Sequence, residues 1–126
     1  MTILAVDCNV QRLDSLEALL KREFPSEIVI RENDSLAAGQ YAFNHPVDIL
    51  FAALEMPRLD GLKLTSFARY TNPDAMVFLM VEPGDDFETA LWMDEVDGLL
   101  YYPVSSAPLL NALQFARSKR NGQASS

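Results

Sequence analysis

Two hydrophobic periods alternate along the chain. Short runs in which nearly every residue is apolar are typical of buried strands, and the segments between them repeat apolar residues every three or four positions, as amphipathic helices do. The pattern predicts strands at Thr2–Val6, Glu27–Arg31, Asp48–Ala53, Met76–Val81 and Gly98–Tyr101. It predicts helices at Val10–Phe24, Ser35–Asn44, from Leu62 to near Asn72, at Asp86–Asp94 and after Ser105.

Five strand–helix units with continuously apolar strands indicate a parallel sheet that helices cover on both faces, which is a doubly wound α/β fold. Asp34 is predicted to cap the second helix and Pro46 to end it, while Asp60-Gly61 forms a turn in which Asp60 caps the third helix. The length of 126 residues fits one domain, assigned to residues 1–120, with a polar tail or linker start at 121–126.

Three segments resemble the receiver domain of two-component response regulators, and the similarity covers nearly the whole chain. Asp48–Gly61 is similar to the family's apolar third strand with its Met-Pro turn and Asp-Gly. Ile3–Asp7 is similar to the first strand and Leu99–Pro103 to the fifth. The resemblance implies a flavodoxin-like (βα)5 fold with strand order 2-1-3-4-5. Glu55 before Met-Pro, and the run 87–103, are similar to receivers that precede LytTR-type DNA-binding domains.

The chemistry of that family depends on five side chains: two acids that hold Mg²⁺, a phosphoacceptor Asp, a hydroxyl and a lysine. The resemblance implies that only the first acid is present here. In that order, the five positions fall on Asp7, Cys8, Ala53, Val81 (with Met80 as the alternative alignment) and Tyr102, and the family's aromatic switch position falls on Leu99.

These replacements predict a site without phosphoryl chemistry. Ala53 has no oxygen on which an acyl phosphate could form. Mg²⁺ prefers several hard oxygen ligands, so Asp7 beside the thiol of Cys8 is a poor metal site. Tyr102 is neutral near pH 7 and does not supply the charge of a lysine. We therefore expect no metal, no cofactor and one permanent resting conformation, with Asp7 bonding nearby loop amides as a remnant of the fold.

Composition narrows the remaining function classes. The formal net charge is -8, so an acidic surface is expected to repel nucleic acid. The single cysteine, Cys8, excludes an internal disulfide and is predicted to be a half-buried thiol.

The sequence shows no apolar stretch of membrane-spanning length and no signal peptide, which predicts a cytoplasmic location. The loop Asp7–Gln11 contains no glycine to cradle a flavin phosphate, which argues against a flavodoxin-like enzyme.

Two functions remain open at this stage. The first is a phosphorylation-independent module that dimerises or binds a protein partner in two-component or transcriptional regulation. The second is a receiver that is still regulated, through an atypical acceptor or a small ligand in the old pocket. The possible interaction face comprises Trp92, Leu99, Tyr101 and Tyr102, since aromatic residues are enriched at interfaces. An acidic rim at Glu82, Asp85, Asp86 and Glu88 is either a helix N-terminus or a site for a basic partner.

Overall fold

The computed structural model describes residues 1–84 and 95–125, with side chains as far as residue 119. The predicted helix at Asp86–Asp94 lies outside the described residues. The strands are β1 (Thr2–Val6), β2 (Ile28–Glu32), β3 (Ile49–Ala53), β4 (Met76–Val81) and β5 (Gly98–Tyr101). The described helices are α1 (Val10–Glu23), α2 (Ser35–Asn44), α3 (Gly61–Thr71) and α4 (Ser106–Ser125).

The five strands form one parallel sheet in the order β2-β1-β3-β4-β5. Every neighbouring pair is parallel, with Val6 opposite Ala52 and Ala53 opposite Met80 in the register. β3 and β4 are buried at every position, as strands covered on both faces must be. The predicted doubly wound, flavodoxin-like fold is confirmed.

The core has two layers, one on each face of the sheet. On one face, α1 and α4 pack against alternate residues of the strands, with the core formed by Leu13, Leu16, Leu20, Leu109 and Leu113 over Ile3, Phe51 and Met80. On the other face, α2 and α3 cover the intervening strand positions, with Ala38, Ala42, Leu64 and Ala68 over Leu4, Leu50 and Val77. Alternate side chains of one strand therefore enter different cores, which explains why the strands are apolar throughout.

Side-chain caps define where the helices begin. Asp34 accepts from the Leu36 amide at 3.1 Å, and Asp60 accepts from the Lys63 amide at 2.9 Å, which confirms both predicted caps. Asn9 caps α1 by accepting from the Arg12 amide at 3.1 Å. These contacts satisfy amides that have no partner within their own helix.

The C-terminal segment differs from its prediction in local structure. The backbone of α4 stays helical to Ser125, through the segment that was predicted to begin a polar tail at Asn121. Extending an existing helix costs much less than nucleating one, so the polar residues after residue 120 follow the turns already formed. The polarity of this segment was therefore a poor guide to its backbone.

The amino ends of the strands are joined by charged contacts. The carboxylate of Asp97 accepts from Arg69 of α3 at 2.9 Å and from the backbone amide of Val77 at 2.8 Å. Lys119 of α4 lies 3.6 Å from its other oxygen. Glu27, just before β2, likewise binds both the N-terminal ammonium of Met1 and the guanidinium of Arg117. These two acids connect helices on both faces to this edge of the sheet.

At the opposite edge, α3 begins directly against the end of β3. A methyl group added to Gly61 would lie 2.6 Å from the carbonyl oxygen of Ala53, so a larger residue would force the two elements apart. The Gly61 amide also donates to the Leu54 carbonyl at 3.0 Å.

The described helices were also compared with the requirements of a membrane span. Over the part of the chain that the structure describes, no helix combines the length and the apolar character needed to cross a membrane.

Candidate functional site

Asp7 is the buried acid at the carboxyl end of β1. Its side chain is 3% exposed, and both carboxylate oxygens have a donor. The amide of Asn9 donates to Oδ1 at 2.9 Å, and the hydroxyl of Tyr102 donates to Oδ2 at 2.6 Å. The amide contact confirms the prediction that Asp7 bonds the following loop. The contact with Tyr102 means that this carboxylate is satisfied by neutral donors from its own chain.

Tyr102 follows β5 and turns its ring inward toward β1. Burial raises the pKa of its hydroxyl far above the usual range, and the hydrogen bond to Asp7 and the charge of Asp7 raise it further. The nearby Arg12 acts on this pKa in the opposite direction but is outweighed. The phenol is therefore a neutral donor throughout the physiological range, and it holds the residues after β5 against the end of β1.

Arg12, in the first turn of α1, covers the outer side of Tyr102. Its guanidinium carbon lies 3.8 Å from the centroid of the tyrosine ring, within the range of a cation–π contact. The same guanidinium forms an ion pair with Glu82, in the loop after β4. The cation thus links α1 to the loop after β4, with Tyr102 beneath it.

A cleft of about 190 Å³ lies beside this cluster. Ala53 and Val81 line it together with Met80 and Tyr102, and Arg12, Glu55 and Glu82 form its polar walls. The structure therefore brings together three of the five positions that the resemblance assigned to the phosphorylation site, at Ala53, Val81 and Tyr102, with Asp7 bonded to the last of them. Val81 and Met80 both line the cleft, and neither carries a hydroxyl group.

Cys8 lies away from the cleft lining. Its thiol is partly buried, as predicted, and sits at the start of α2. Burial raises the pKa of the thiol, while a backbone hydrogen bond from Ser35 lowers it and the carboxylates of Asp7 and Asp34 raise it. The thiol is therefore protonated and weakly nucleophilic near neutral pH.

The donor set at this edge does not fit Mg²⁺. The ion needs several oxygen ligands in near-octahedral geometry, but both oxygens of Asp7 already accept hydrogen bonds from Asn9 and Tyr102. Ala53 contributes no side-chain oxygen, and Cys8 contributes a soft thiol. Among the described residues, no group of three His, Cys, Asp or Glu side chains is arranged to hold a metal ion.

The residues predicted to form an interaction face have different surroundings. Tyr101 is exposed, Leu99 is half-buried against the core under α2 and α3, and Tyr102 points toward Asp7. Trp92 lies outside the described residues, as do three members of the acidic rim, Asp85, Asp86 and Glu88. The fourth, Glu82, forms the ion pair with Arg12.

Sequence reasoning missed the role of Arg12. The available signal was a cation five residues after Asp7, in the first turn of the helix that follows β1. The sequence also left open whether the side chain of Tyr102 is exposed. The hydrogen bond between Asp7 and Tyr102 joins residues 95 positions apart, and no local pattern encodes such a contact.

Solved structures of receiver domains are similar to this fold over nearly its whole length. The REC domain of AraT, a response regulator from Geobacillus stearothermophilus, is 26% identical with a TM-score of 0.83, covering 98% of this chain and 97% of that one. A response regulator receiver domain protein from Clostridium thermocellum is 23% identical with a TM-score of 0.80, covering 95% and 96%.

A third similar structure is named an adenylate cyclase, from Rhodopirellula baltica. It is 18% identical with a TM-score of 0.80, covering 98% of this chain and 92% of that one. No protein-family model and no curated protein matches the chain. The chain thus has the receiver fold, and its structural neighbours include response-regulator receiver domains.

Proposed function

We propose that this chain is a receiver-like signalling module that works without phosphorylation and acts through contacts with proteins in two-component or transcriptional regulation. The observation that carries the proposal is the hydrogen bond from the Tyr102 hydroxyl to Asp7, at 2.6 Å. It occupies one oxygen of the only family acid that the resemblance retains, and it puts a neutral ring where that resemblance expects a lysine. The receiver fold of the neighbours supports the signalling role.

The side chains around the cleft support the loss of phosphoryl transfer. A phosphoacceptor must present a nucleophilic oxygen or nitrogen to the phosphorus, and Ala53 presents a methyl group. Asp60, the alternative acceptor nearby, caps α3 through the Lys63 amide at 2.9 Å. Stabilising the transferred group requires positive charge or oriented donors, and the cation here, Arg12, is paired with Glu82.

Several further parts of the proposal rest on sequence rather than on the cleft. The likeness of Glu55-Met-Pro to receivers that precede LytTR-type domains favours transcriptional regulation. The net charge of -8 favours protein partners over nucleic acid for this domain, and we place it in the cytoplasm without catalytic activity of its own. Leu99 and Tyr101 of β5, together with Trp92, remain proposed contact residues.

The second candidate is a receiver that is still regulated through an atypical acceptor or a small ligand, and the cleft of about 190 Å³ is the observation that favours it. Thermal unfolding with and without Mg²⁺ and beryllofluoride separates the two candidates, because a ligand that binds only the folded state raises the unfolding midpoint. Beryllofluoride mimics a phosphoryl group on an acceptor carboxylate. For the native sequence we expect no shift.

A rebuilt variant provides the matched control. Combining Ala53→Asp, Cys8→Asp and Tyr102→Lys restores the two missing carboxylates and the cation that the resemblance assigns to the site, and this variant should show a saturable rise in midpoint. A rise in the native chain that disappears in Asp7→Ala would overturn the proposal and favour the second candidate.

A further inference from the structure

α2 and α3 lie side by side on one face of the sheet and present two stripes of side chains, of which Phe67 is partly buried and the others are exposed. The residues follow helical spacing of four and then three positions, so each stripe lies on one side of its helix. We define the α2–α3 face by these six residues: Leu36, Gln40 and Phe43 of α2, and Lys63, Phe67 and Tyr70 of α3.

Aromatic rings join the two stripes. Phe43 stacks on Tyr70 with ring centroids 5.1 Å apart and planes inclined by 5°, and it meets the edge of Phe67 at 6.2 Å. Tyr70 is 74% exposed and Phe43 is 47% exposed, although both rings already pack on each other. Single exposed apolar side chains are ordinary, but a contiguous aromatic patch is typical of a protein–protein contact.

Charge distinguishes this surface from the rest of the chain. α2 contains no charged residue, and α3 contains two cations, Lys63 and Arg69, and no acid. The two helices therefore carry +2, and the remaining residues carry -8 - (+2) = -10. Arg69 is engaged by Asp97 at 2.9 Å, so Lys63 is the cation on the face itself. Two copies of this acidic chain would repel each other least where these helices meet.

We propose that the α2–α3 face binds a second copy of the chain in a two-fold symmetric contact. This deepens the proposed function, because it rests on the module acting through contacts and names the partner. An acidic partner would need more cations than the single Lys63 of this face. A two-fold contact pairs two helix surfaces that contain no acid and closes after two subunits, whereas a contact with any other surface gives a larger ring or an open chain.

The size of the face sets the strength of the contact. A ten-residue helix is about 15 Å long and two adjacent helices are roughly 20 Å wide, which gives a projected area of about 300 Å². Standard interfaces bury about 800 Å² on each partner, so this contact belongs with weak, reversible ones and should dissociate with a constant on the order of 10–100 μM.

Sedimentation equilibrium of the full chain, at concentrations that bracket this constant, tests the proposal. Gln40→Glu is the principal variant, because it keeps the size of an exposed side chain while placing one acid on each side of the symmetric contact. We expect it to weaken the dimer by about tenfold. Gln114→Glu is the matched control: it makes the same charge change on the exposed side of α4, and it should alter the constant by less than about twofold.

Two further measurements sharpen the result. Tyr70→Ala should also weaken the dimer by about tenfold, whereas Phe115→Ala, which removes an exposed ring of α4, should not. Added salt should strengthen association, because it screens the repulsion between two chains of charge -8. Far-ultraviolet circular dichroism checks that each variant is folded.

The inference would be overturned by a monomer at every concentration, by equal effects of Gln40→Glu and Gln114→Glu, or by a dimer that Phe115→Ala weakens and Tyr70→Ala does not. Each can be told apart from failure of the proposed function, since the thermal shift with beryllofluoride concerns the cleft and not the association. A dimer that salt weakens would indicate contact between this face and an acidic surface, and it would also overturn the symmetric arrangement.

Discussion

The two edges of the sheet each hold a carboxylate against strand ends, but they offset its charge differently. At the amino edge, Asp97 is bound by two cations and a backbone amide. At the carboxyl edge, Asp7 is bound by a backbone amide and a phenol, both neutral. The first arrangement ties helices on both faces of the sheet to one strand. The second satisfies both oxygens of a buried acid with hydrogen bonds from neutral groups.

This difference shows which charges the fold itself requires. Cations at Arg69 and Lys119 connect α3 and α4 to the start of β5, so removing them would disconnect elements. At the carboxyl edge, Tyr102 supplies the connection through one hydroxyl, and Arg12 packs on its ring. The ion pairs of Asp97 and Glu27 thus lie at the edge away from the cleft, whereas that of Arg12 with Glu82 lies beside the cleft.

The largest expected effect comes from Asp97→Ala. The substitution leaves Nη2 of Arg69 and the Val77 amide without their acceptor, and it should lower the free energy of unfolding by about 3 kcal/mol. Urea denaturation measures the change. Asp74→Ala removes an exposed acid from the same edge and should cost less than about 0.5 kcal/mol. Similar losses in the two variants would show that Asp97 is not the connection described here.

A smaller effect is expected from Tyr102→Phe, which keeps the ring and deletes the hydroxyl. Asp7 then loses one donor while staying buried, so the free energy of unfolding should fall by about 1–2 kcal/mol at neutral pH. Tyr101→Phe, at an exposed neighbour, is the control and should have no measurable effect. Equal stability of Tyr102→Phe and the native chain would mean that the contact with Asp7 contributes nothing.

The same variant should change the response to alkali. The folded-state pKa of Tyr102 is raised above the unfolded value of 10.0, so its contribution is complete below pH 10 and is lost as the pH rises toward the folded value. Above pH 10, the native chain should therefore lose stability more steeply than Tyr102→Phe, and the difference between the two should shrink. Parallel pH profiles would contradict this assignment.

The smallest expected effect is at Glu27, on the amino edge. The hydrogen bond from the N-terminal ammonium, followed by that from Arg117, lowers the pKa of Glu27 although burial opposes it. A lowered pKa stabilises the fold above the unfolded value of 4.5, and this contribution is lost as the pH falls through the folded value.

Glu27→Gln should therefore cost about 1 kcal/mol near neutral pH and nothing in acid. Glu23→Gln, which removes a half-buried acid paired with Arg22, should leave the acid profile unchanged. Thermal unfolding at a series of pH values checks both expectations. Below pH 4.5, the stability of the native chain should fall more steeply than that of Glu27→Gln. A native profile that is steeper only above pH 4.5 would contradict the assignment.

The sequence alone predicted those strands and helix caps that depend on residues close together in the chain. Ile49–Ala53 is apolar at every position because side chains on both faces are buried, so its strand could be predicted from the run alone. Asp34 and Asp60 bond amides two and three residues away, which is why both caps were predictable. The contact of Asp7 with the loop amide was predictable for the same reason.

Contacts between distant segments could not be predicted in this way. The direction of the Tyr102 ring depends on Asp7 and Arg12, which approach it only after the sheet has formed. The stack of Phe43 on Tyr70 depends on the distance between two parallel helices, which neither helix encodes alone. The receiver resemblance supplied the list of site positions, but the partner that each residue found was a property of the assembled fold.

The tight joint at Gly61 has a mechanical consequence. Because a methyl group there would lie 2.6 Å from the Ala53 carbonyl, and the Gly61 amide donates to Leu54, we expect the part of the cleft lining formed by these two residues to move together with the first turn of α3. The stripe of α3 starts two residues later, at Lys63. A displacement of this part of the lining should therefore shift α3 as well. In a variant engineered to bind a ligand in the cleft, binding would then change the position of the α2–α3 face.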